Sequence, residues 1–338
     1  MKPARQSVVI PLPVEDEWPH PPGDEWDWQE SVVLCFQDLH HRVGGFIRIG
    51  HHPNRNTGNL TFGVVTPEGG YNRSAQDLPM RDGDRSKTGF ALDGFVSTAF
   101  DEASSAWRAE DAECAIDLRV TNFHPLYDTW ALSGLTGGFR DKFAASHTEA
   151  PGAVSGTVRV GQQTWSIQGF AYRDHSWGVR HMDAPESALA NFFWLVGSFG
   201  DDFVFAVTEI ITAAAKTQSI GYIIKDGVFD LPTALDASFL VDLDGVSLRG
   251  ASCRFETAKL GTFDFQVEGF GNVLLGMERK YLEFGMPGVV TWNGRRGGAH
   301  LSTLFNARGG SASPPRLFGA ESGNGLYSKR SFRETLDR

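Results

Sequence analysis

Apolar and polar residues alternate over many short stretches of this chain. In Ala115-Ile116-Asp117-Leu118-Arg119-Val120-Thr121, the residues Ile116, Leu118 and Val120 fall on one side and Asp117, Arg119 and Thr121 on the other. A period of two belongs to a β-strand with one wet face. Further strand runs, not all of them alternating, are read at Ser31–Asp38, Gly44–Gly50, Gly58–Thr66, Gly89–Ser97, Val154–Val160 and Gln163–Tyr172. In the second half they recur at Asn191–Phe199, Phe203–Ile211, Ser219–Lys225, Ser238–Asp242, Val246–Gly250, Thr262–Phe270, Val273–Phe284, Gly288–Trp292 and Gly297–Asn306. Gly, Asn and Asp separate the runs; Gly161-Gln162 and Gly200-Asp201-Asp202 read as hairpin turns. Helix is predicted only at Phe139–Ser146 and near Ser331–Asp337. Many short strands with turn residues between them predict an all-β protein of sandwiches or barrels.

Length divides this pattern in two. The 338 residues allow two halves that each close an antiparallel barrel or flattened barrel, with a division at 1–165 and 166–338. The first half opens on a proline-rich arm, where Pro11, Pro13, Pro19, Pro21 and Pro22 exclude a helix. Trp18, Trp26 and Trp28 predict that this arm lies across the body of the protein.

Charge and composition narrow the function classes. The chain has 41% hydrophobic residues, 25 Phe and 9 Trp, enough to fill the cores of a folded protein. Its net charge of −10 and the lack of a basic cluster beyond Arg295-Arg296 argue against a nucleic-acid partner. No apolar run is long enough for a membrane helix and the first residues lack a signal-peptide core, so a soluble cytoplasmic protein is expected. Cys35, Cys114 and Cys253 have no metal-ligand spacing and read as buried thiols. Oligomeric state is not encoded in any recognisable pattern.

The densest chemistry lies in Tyr172-Arg173-Asp174-His175-Ser176-Trp177-Gly178-Val179-Arg180-His181. Two imidazoles, a carboxylate, a phenol and two guanidinium groups stand beside an indole, either as an internal polar network or as the wall of a ligand cavity. Asp174 and His175 are the candidate acid–base pair. Neighbours on a strand diverge, so their convergence requires a bend, for which Ser176-Trp177-Gly178 is the candidate. Tyr172, Trp177 and Arg180 are candidate substrate-binding residues, Trp177 by stacking and Arg180 by holding an oxygen. Glu209 shares a face with Phe203, Phe205 and Val207, and a carboxylate on an apolar face needs a partner or a purpose. It is the third candidate catalytic residue. Glu30, before an apolar strand, is expected at a barrel mouth as a further substrate-binding residue.

Other chemistries find less support. Walker A, GxGxxG, HExxH and Gly-x-Ser-x-Gly motifs are missing, and Ser176 lacks a nucleophile turn. Asp38 and His40 share a strand face, and His175 or His181 joining them in space would complete a 2-His-1-carboxylate centre. The stronger reading of the sequence calls for no metal and no cofactor.

Trp28-Gln29-Glu30-Ser31, Gly44-Gly45-Phe46-Ile47-Arg48-Ile49-Gly50 and Gly169–Arg180 together resemble the AttH-like and carotenoid 1,2-hydratase-like proteins. The resemblance spans roughly residues 20–310 and implies two lipocalin-like domains. It places Asp174, His175 and Trp177 in a pocket near the domain interface. It also implies hydration or dehydration of a hydrophobic isoprenoid, steroid-like or aromatic small molecule, without a cofactor. Isomerisation or cyclisation of the same substrate class and non-catalytic binding of an apolar ligand are the alternatives.

Overall fold

The computed structural model describes residues 11–132, 144–181, 189–212, 217–242, 247–275, 281–306, 321–322 and 325–330. The first sheet contains β1 (Trp28–Asp38), β2 (Val43–His52), β3 (Thr57–Thr66), β4 (Gly69–Pro79), β5 (Gly89–Leu92) and β6 (Val96–Phe100). It continues with β7 (Ser104–Glu110), β8 (Cys114–Asn122), β9 (Tyr127–Asp128), β10 (Ser146–Val160) and β11 (Gln163–Val179). Their order is β4-β3-β2-β1-β11-β10-β8-β7-β6-β5, with β9 paired to β10.

The second sheet contains β12 (Leu189–Ser198), β13 (Phe203–Thr212), β14 (Thr217–Lys225), β15 (Val228–Asp230), β16 (Pro232–Val241) and β17 (Leu248–Thr257). It continues with β18 (Gly261–Gly269), β19 (Val273–Leu275), β20 (Tyr281–Trp292), β21 (Arg295–Asn306), β22 (Glu321–Ser322) and β23 (Gly325–Arg330). Their order is β15-β14-β13-β12-β21-β20-β18-β17-β16-β23-β22, with β19 paired to β20. Both sheets therefore open on a four-strand meander whose first strand pairs with a late strand of the same unit. Each curls into a nearly closed antiparallel barrel, which leaves few strand edges unpaired. Both predicted lipocalin-like domains are present.

Strand patterning explains where the cores sit. On β8, Ile116, Leu118 and Val120 point into the first barrel, with Val32, Leu34, Phe36, Phe62 and Trp107. The second barrel is filled by Phe193, Phe203, Phe205, Phe255, Phe263 and Phe265. Phe205 and Phe265 stack at 4.4 Å. Aromatic side chains thus pack the barrel interiors. β1 and most of β2 and β3 depart from alternation, because both of their faces are buried. One face lines the first core. The other meets the second sheet across a seam containing Val33, Cys35, Phe46, Tyr172, Trp194, Val196, Tyr222 and Leu275.

Some elements differ from the sequence pattern. The strand predicted over Gly89–Ser97 is two strands, because Asp93 (φ 52°) and Gly94 (φ 75°) form a tight turn with both residues left-handed. The run Val273–Phe284 is likewise divided between β19 and β20. β4 and β7 were not predicted, since the polar residues of Gly69–Pro79 and the small ones of Ser104–Glu110 mask their alternation. The end of one predicted helix, Ala144–Ser146, is not helical, and Ser146 starts β10; the part of that helix over 139–143 and the one near 331–337 lie outside the described residues.

The sheets change between Val179 and Leu189, so the whole of β11, with its Tyr172–Trp177 chemistry, belongs to the first sheet. The arm packs on that barrel through Trp18, and the backbone of Leu12 bonds Leu126. Trp28 is buried as predicted, whereas Trp26 is exposed. No helix among the described residues is long and apolar enough to cross a membrane.

Candidate functional site

β11 pairs without interruption to β1 on one side and β10 on the other from Phe170 through Trp177. A regular strand sends successive side chains to opposite faces. His175, paired with Val32, points into the first barrel, whereas Asp174, paired with Val33, points into the seam. The bend expected over Ser176-Trp177-Gly178 does not break the strand: Gly178, where a φ of +131° and the close approach of Ala145 exclude a side chain, still pairs with Gln29 of β1. Asp174 and His175 therefore serve two different clusters.

The seam cluster is built across β10 and β11. Asp174 and Glu149 are cross-strand partners. His147 lies between their carboxyl groups, with Nε2 3.0 Å from Asp174 Oδ2; its Nδ1 is hydrogen-bonded to Thr129 Oγ1 at 3.0 Å and lies 3.6 Å from Glu149 Oε1. The Tyr172 hydroxyl lies 2.7 Å from Glu149 Oε2 and 2.8 Å from the hydroxyl of Tyr222 on the second sheet. Trp130 stacks on His147 at 5.4 Å, and Trp194 meets Tyr172 edge-on at 6.0 Å.

Burial sets the protonation of this cluster. It pushes the Glu149 carboxyl up, outweighing the opposing pull of His147 and of the Tyr172 hydrogen bond. Burial alone would lower His147, but the Asp174 and Glu149 carboxyls beside it win and raise it. Both tyrosines are raised by burial and stay phenolic. Burial thus favours the protonated form of Glu149, and the carboxyls beside His147 favour its imidazolium.

The second sheet contributes its own buried acid. Burial raises Glu283 to about 8, against a hydrogen bond from Ser302 and the field of Arg48. His300 Nε2 lies 3.1 Å from Ser302 Oγ, and burial lowers this imidazole to about 3. His300 stacks on Phe46 and tilts against Trp194. The seam thus carries proton donors and acceptors from both sheets between aromatic faces.

The second cluster sits on the inward face of the first barrel, under the arm. Glu30 is fully buried, and its Oε1 lies 2.7 Å from His20 Nδ1 and 3.0 Å from His175 Nε2. The His20 backbone N–H donates to both carboxylate oxygens, at 3.0 and 3.2 Å, and Arg85 Nη2 donates to Oε2 at 2.5 Å. Burial would raise Glu30, but the hydrogen bonds of His175 and His20 prevail and hold it well below the usual carboxylate range. Burial keeps His175 low despite Glu30. Trp177 stacks on His20, with ring centroids 3.8 Å apart.

Of the sequence-predicted residues, Asp174 and Tyr172 meet in the seam, and Glu30, His175 and Trp177 meet in the first barrel. Arg180 lies beside Ser176, with Nη2 3.1 Å from its hydroxyl. Glu209 pairs with Phe193 and faces the second barrel core, away from both clusters. Asp38 accepts hydrogen bonds from the backbone N–H groups of His40, His41 and Gln168, which makes it a turn anchor rather than a metal ligand. All three cysteines are buried thiols.

The sequence pattern missed His20, Arg85, His147, Glu149, Tyr222 and Glu283. Glu149 lies five residues before the predicted start of its strand, in a stretch containing Pro151 and Gly152 that reads as a loop. For His20 the one available signal was its place inside Pro19-His20-Pro21-Pro22.

Comparison with solved structures shows the fold in other proteins. An AttH candidate from Nitrosomonas europaea matches with a TM-score of 0.59 at 13% identity, over 90% of this chain and 99% of that one. CghA matches with a TM-score of 0.60 at 11% identity, over 91% and 94% of the two chains. Kievitone hydratase from Nectria haematococca matches with a TM-score of 0.55 at 8% identity, over 90% and 94%. Curated proteins give no match to the chain. Sequence comparison does give a family: its profile covers residues 13–307, and the chain belongs to the DUF7064 family, a domain of unknown function, built here on the two-barrel architecture of AttH-like proteins.

Proposed function

We propose that this protein is a hydratase or dehydratase that adds water to, or removes it from, a carbon–carbon double bond of a hydrophobic small molecule at the seam between its barrels. The observation that carries this reading is His147, which stands 3.0 Å from the carboxylate of Asp174 and 3.6 Å from that of Glu149, a carboxyl that burial pushes up. In the hydration direction, neutral Glu149 gives its proton to one alkene carbon. The cation at the other carbon is sheltered by aromatic faces such as Trp194 and captured by water. Asp174 takes the proton that this water releases. His147 then passes a proton from Asp174 back to Glu149, so the site regains its starting state with no outside reductant or oxidant. Dehydration is the same sequence reversed.

The likeness to a structure named kievitone hydratase agrees with the reaction class. Trp194, Tyr222 and Phe46 favour an isoprenoid or aromatic substrate with little charge.

The test is a screen of isoprenoid and phenolic alkenes and their tertiary alcohols with purified protein in ¹⁸O-labelled water. The expected result is product carrying one added water with the label in its new hydroxyl, and no such product with Asp174→Asn. Product without label, or equal turnover by that variant, overturns the reading.

A further inference from the structure

The cluster under the arm is not needed for the proposed chemistry, and its geometry fits a different role. Three nitrogens converge on Glu30 Oε1: the His20 backbone N at 3.0 Å, His20 Nδ1 at 2.7 Å and His175 Nε2 at 3.0 Å. A carboxylate oxygen has two lone pairs, so three donors crowd it. The crowding is relieved if the imidazoles turn their lone pairs, rather than N–H groups, toward a shared cation. One ligand atom from each of His20, Glu30 and His175 lies within 4.8 Å of the other two. At a metal–ligand distance of about 2.1 Å, neighbouring ligands of a six-coordinate ion stand about 3 Å apart, close to the separations from Glu30 to each imidazole.

The surroundings agree. Arg85 bonds Oε2 and leaves Oε1 for the imidazoles, the outer-sphere arrangement that orients a ligating carboxylate. Glu30 and His175 are both fully buried, on neighbouring strands of the barrel wall. His20 comes from the arm, where Pro19, Pro21 and Pro22 restrict the backbone before any ion arrives. Trp177 holds its ring by stacking.

We infer that His20, Glu30 and His175 form a binding site for a divalent first-row transition metal ion that fastens the proline-rich arm to the first barrel. Two imidazoles and one carboxylate select a zinc-class ion over calcium or magnesium, which need more oxygen ligands. The ion would serve the arm and not the seam, so this inference does not depend on the proposed reaction.

The experiment uses the full chain after treatment with chelator and dialysis. Co²⁺ is titrated by visible absorption and Zn²⁺ by calorimetry, for the wild type, His20→Gln, Glu30→Gln and His41→Gln. His20 is partly exposed, so His20→Gln is expected to fold, and near-ultraviolet circular dichroism checks this. The expected result is one equivalent of each ion per chain, with affinity lowered at least 100-fold by His20→Gln and unchanged by His41→Gln, which removes a surface imidazole paired to Asp38. Zn²⁺ should also slow proteolysis of the arm in the wild type and His41→Gln, and not in His20→Gln or Glu30→Gln. No saturable uptake near one equivalent, or uptake that survives His20→Gln, overturns the site, as does uptake lost in His41→Gln.

Discussion

Replacing Glu283 by Gln should change how stability depends on pH. Glu283 is 4% exposed and titrates at about 8 in the folded protein, against 4.5 for its ordinary value. Because the folded-state value is raised, the contribution is fully present below pH 4.5 and is lost as pH rises toward 8. The complete shift of about 3.5 units corresponds to at most about 5 kcal/mol. Between pH 7 and 8 the wild type should lose about 1 kcal/mol from this residue alone. That window is free of the buried histidines His51, His52 and His300, which burial lowers to about 4, 3 and 3. Their contributions change at lower pH and are flat above about pH 7. Gln keeps a group able to bond Ser302 but cannot ionise. Urea unfolding of both proteins at pH 7 and 8 reads the difference directly, since Glu149 is common to both. A wild-type loss larger than that of Glu283→Gln by about 1 kcal/mol is expected. Equal losses would show that Glu283 is ionised at neutral pH, and the acid on the second wall of the seam would have to be given up.

Further predictions follow from the same burial. Glu17→Ala leaves Arg173, its buried ion-pair partner, without a counter-charge, and should cost about 3–5 kcal/mol in urea unfolding; a cost under about 1 kcal/mol would mean the arm is not anchored there. Phe205→Ala removes a ring stacked on Phe265 in the second core and should cost about 3–5 kcal/mol by the same assay. Hydration should slow as pH rises through the raised titration of Glu149, because the neutral acid is then lost, and Glu149→Gln should remove that limb along with most of the rate. A pH profile that stays flat in the wild type on the alkaline side would count against Glu149 as proton donor.

The fold was legible because β8 and β18 each bury one face and therefore alternate. It became less legible at β4, whose sequence is polar on both faces, and at β1, whose two buried faces remove the alternation. The candidate site was legible only in part. Asp174, Tyr172 and Trp177 stand out as chemistry crowded into one strand, but the strand's own pleat sends Asp174 and His175 to different partners. Those partners, His147, Glu149 and Tyr222 in one case and His20 and Glu30 in the other, come from strand register and from the path of the arm. Register depends on which strands neighbour β11, and no local pattern in a single chain records that. Glu209 shows the converse case, since its place on an apolar face was read correctly but that face belongs to the second barrel core.

Catalysis is assigned to the seam face of β11 and not to its barrel face. Once the screen yields a substrate, kcat for Asp174→Asn and Glu149→Gln should be compared with kcat for His175→Gln, each shown to be folded by circular dichroism. Losses of about 100-fold to 10,000-fold are expected for the two seam variants, and a kcat within a few-fold of wild type for His175→Gln. Loss of turnover in His175→Gln with near-normal rates in the seam variants would contradict that assignment, and would place the chemistry beside Glu30 and Trp177 instead.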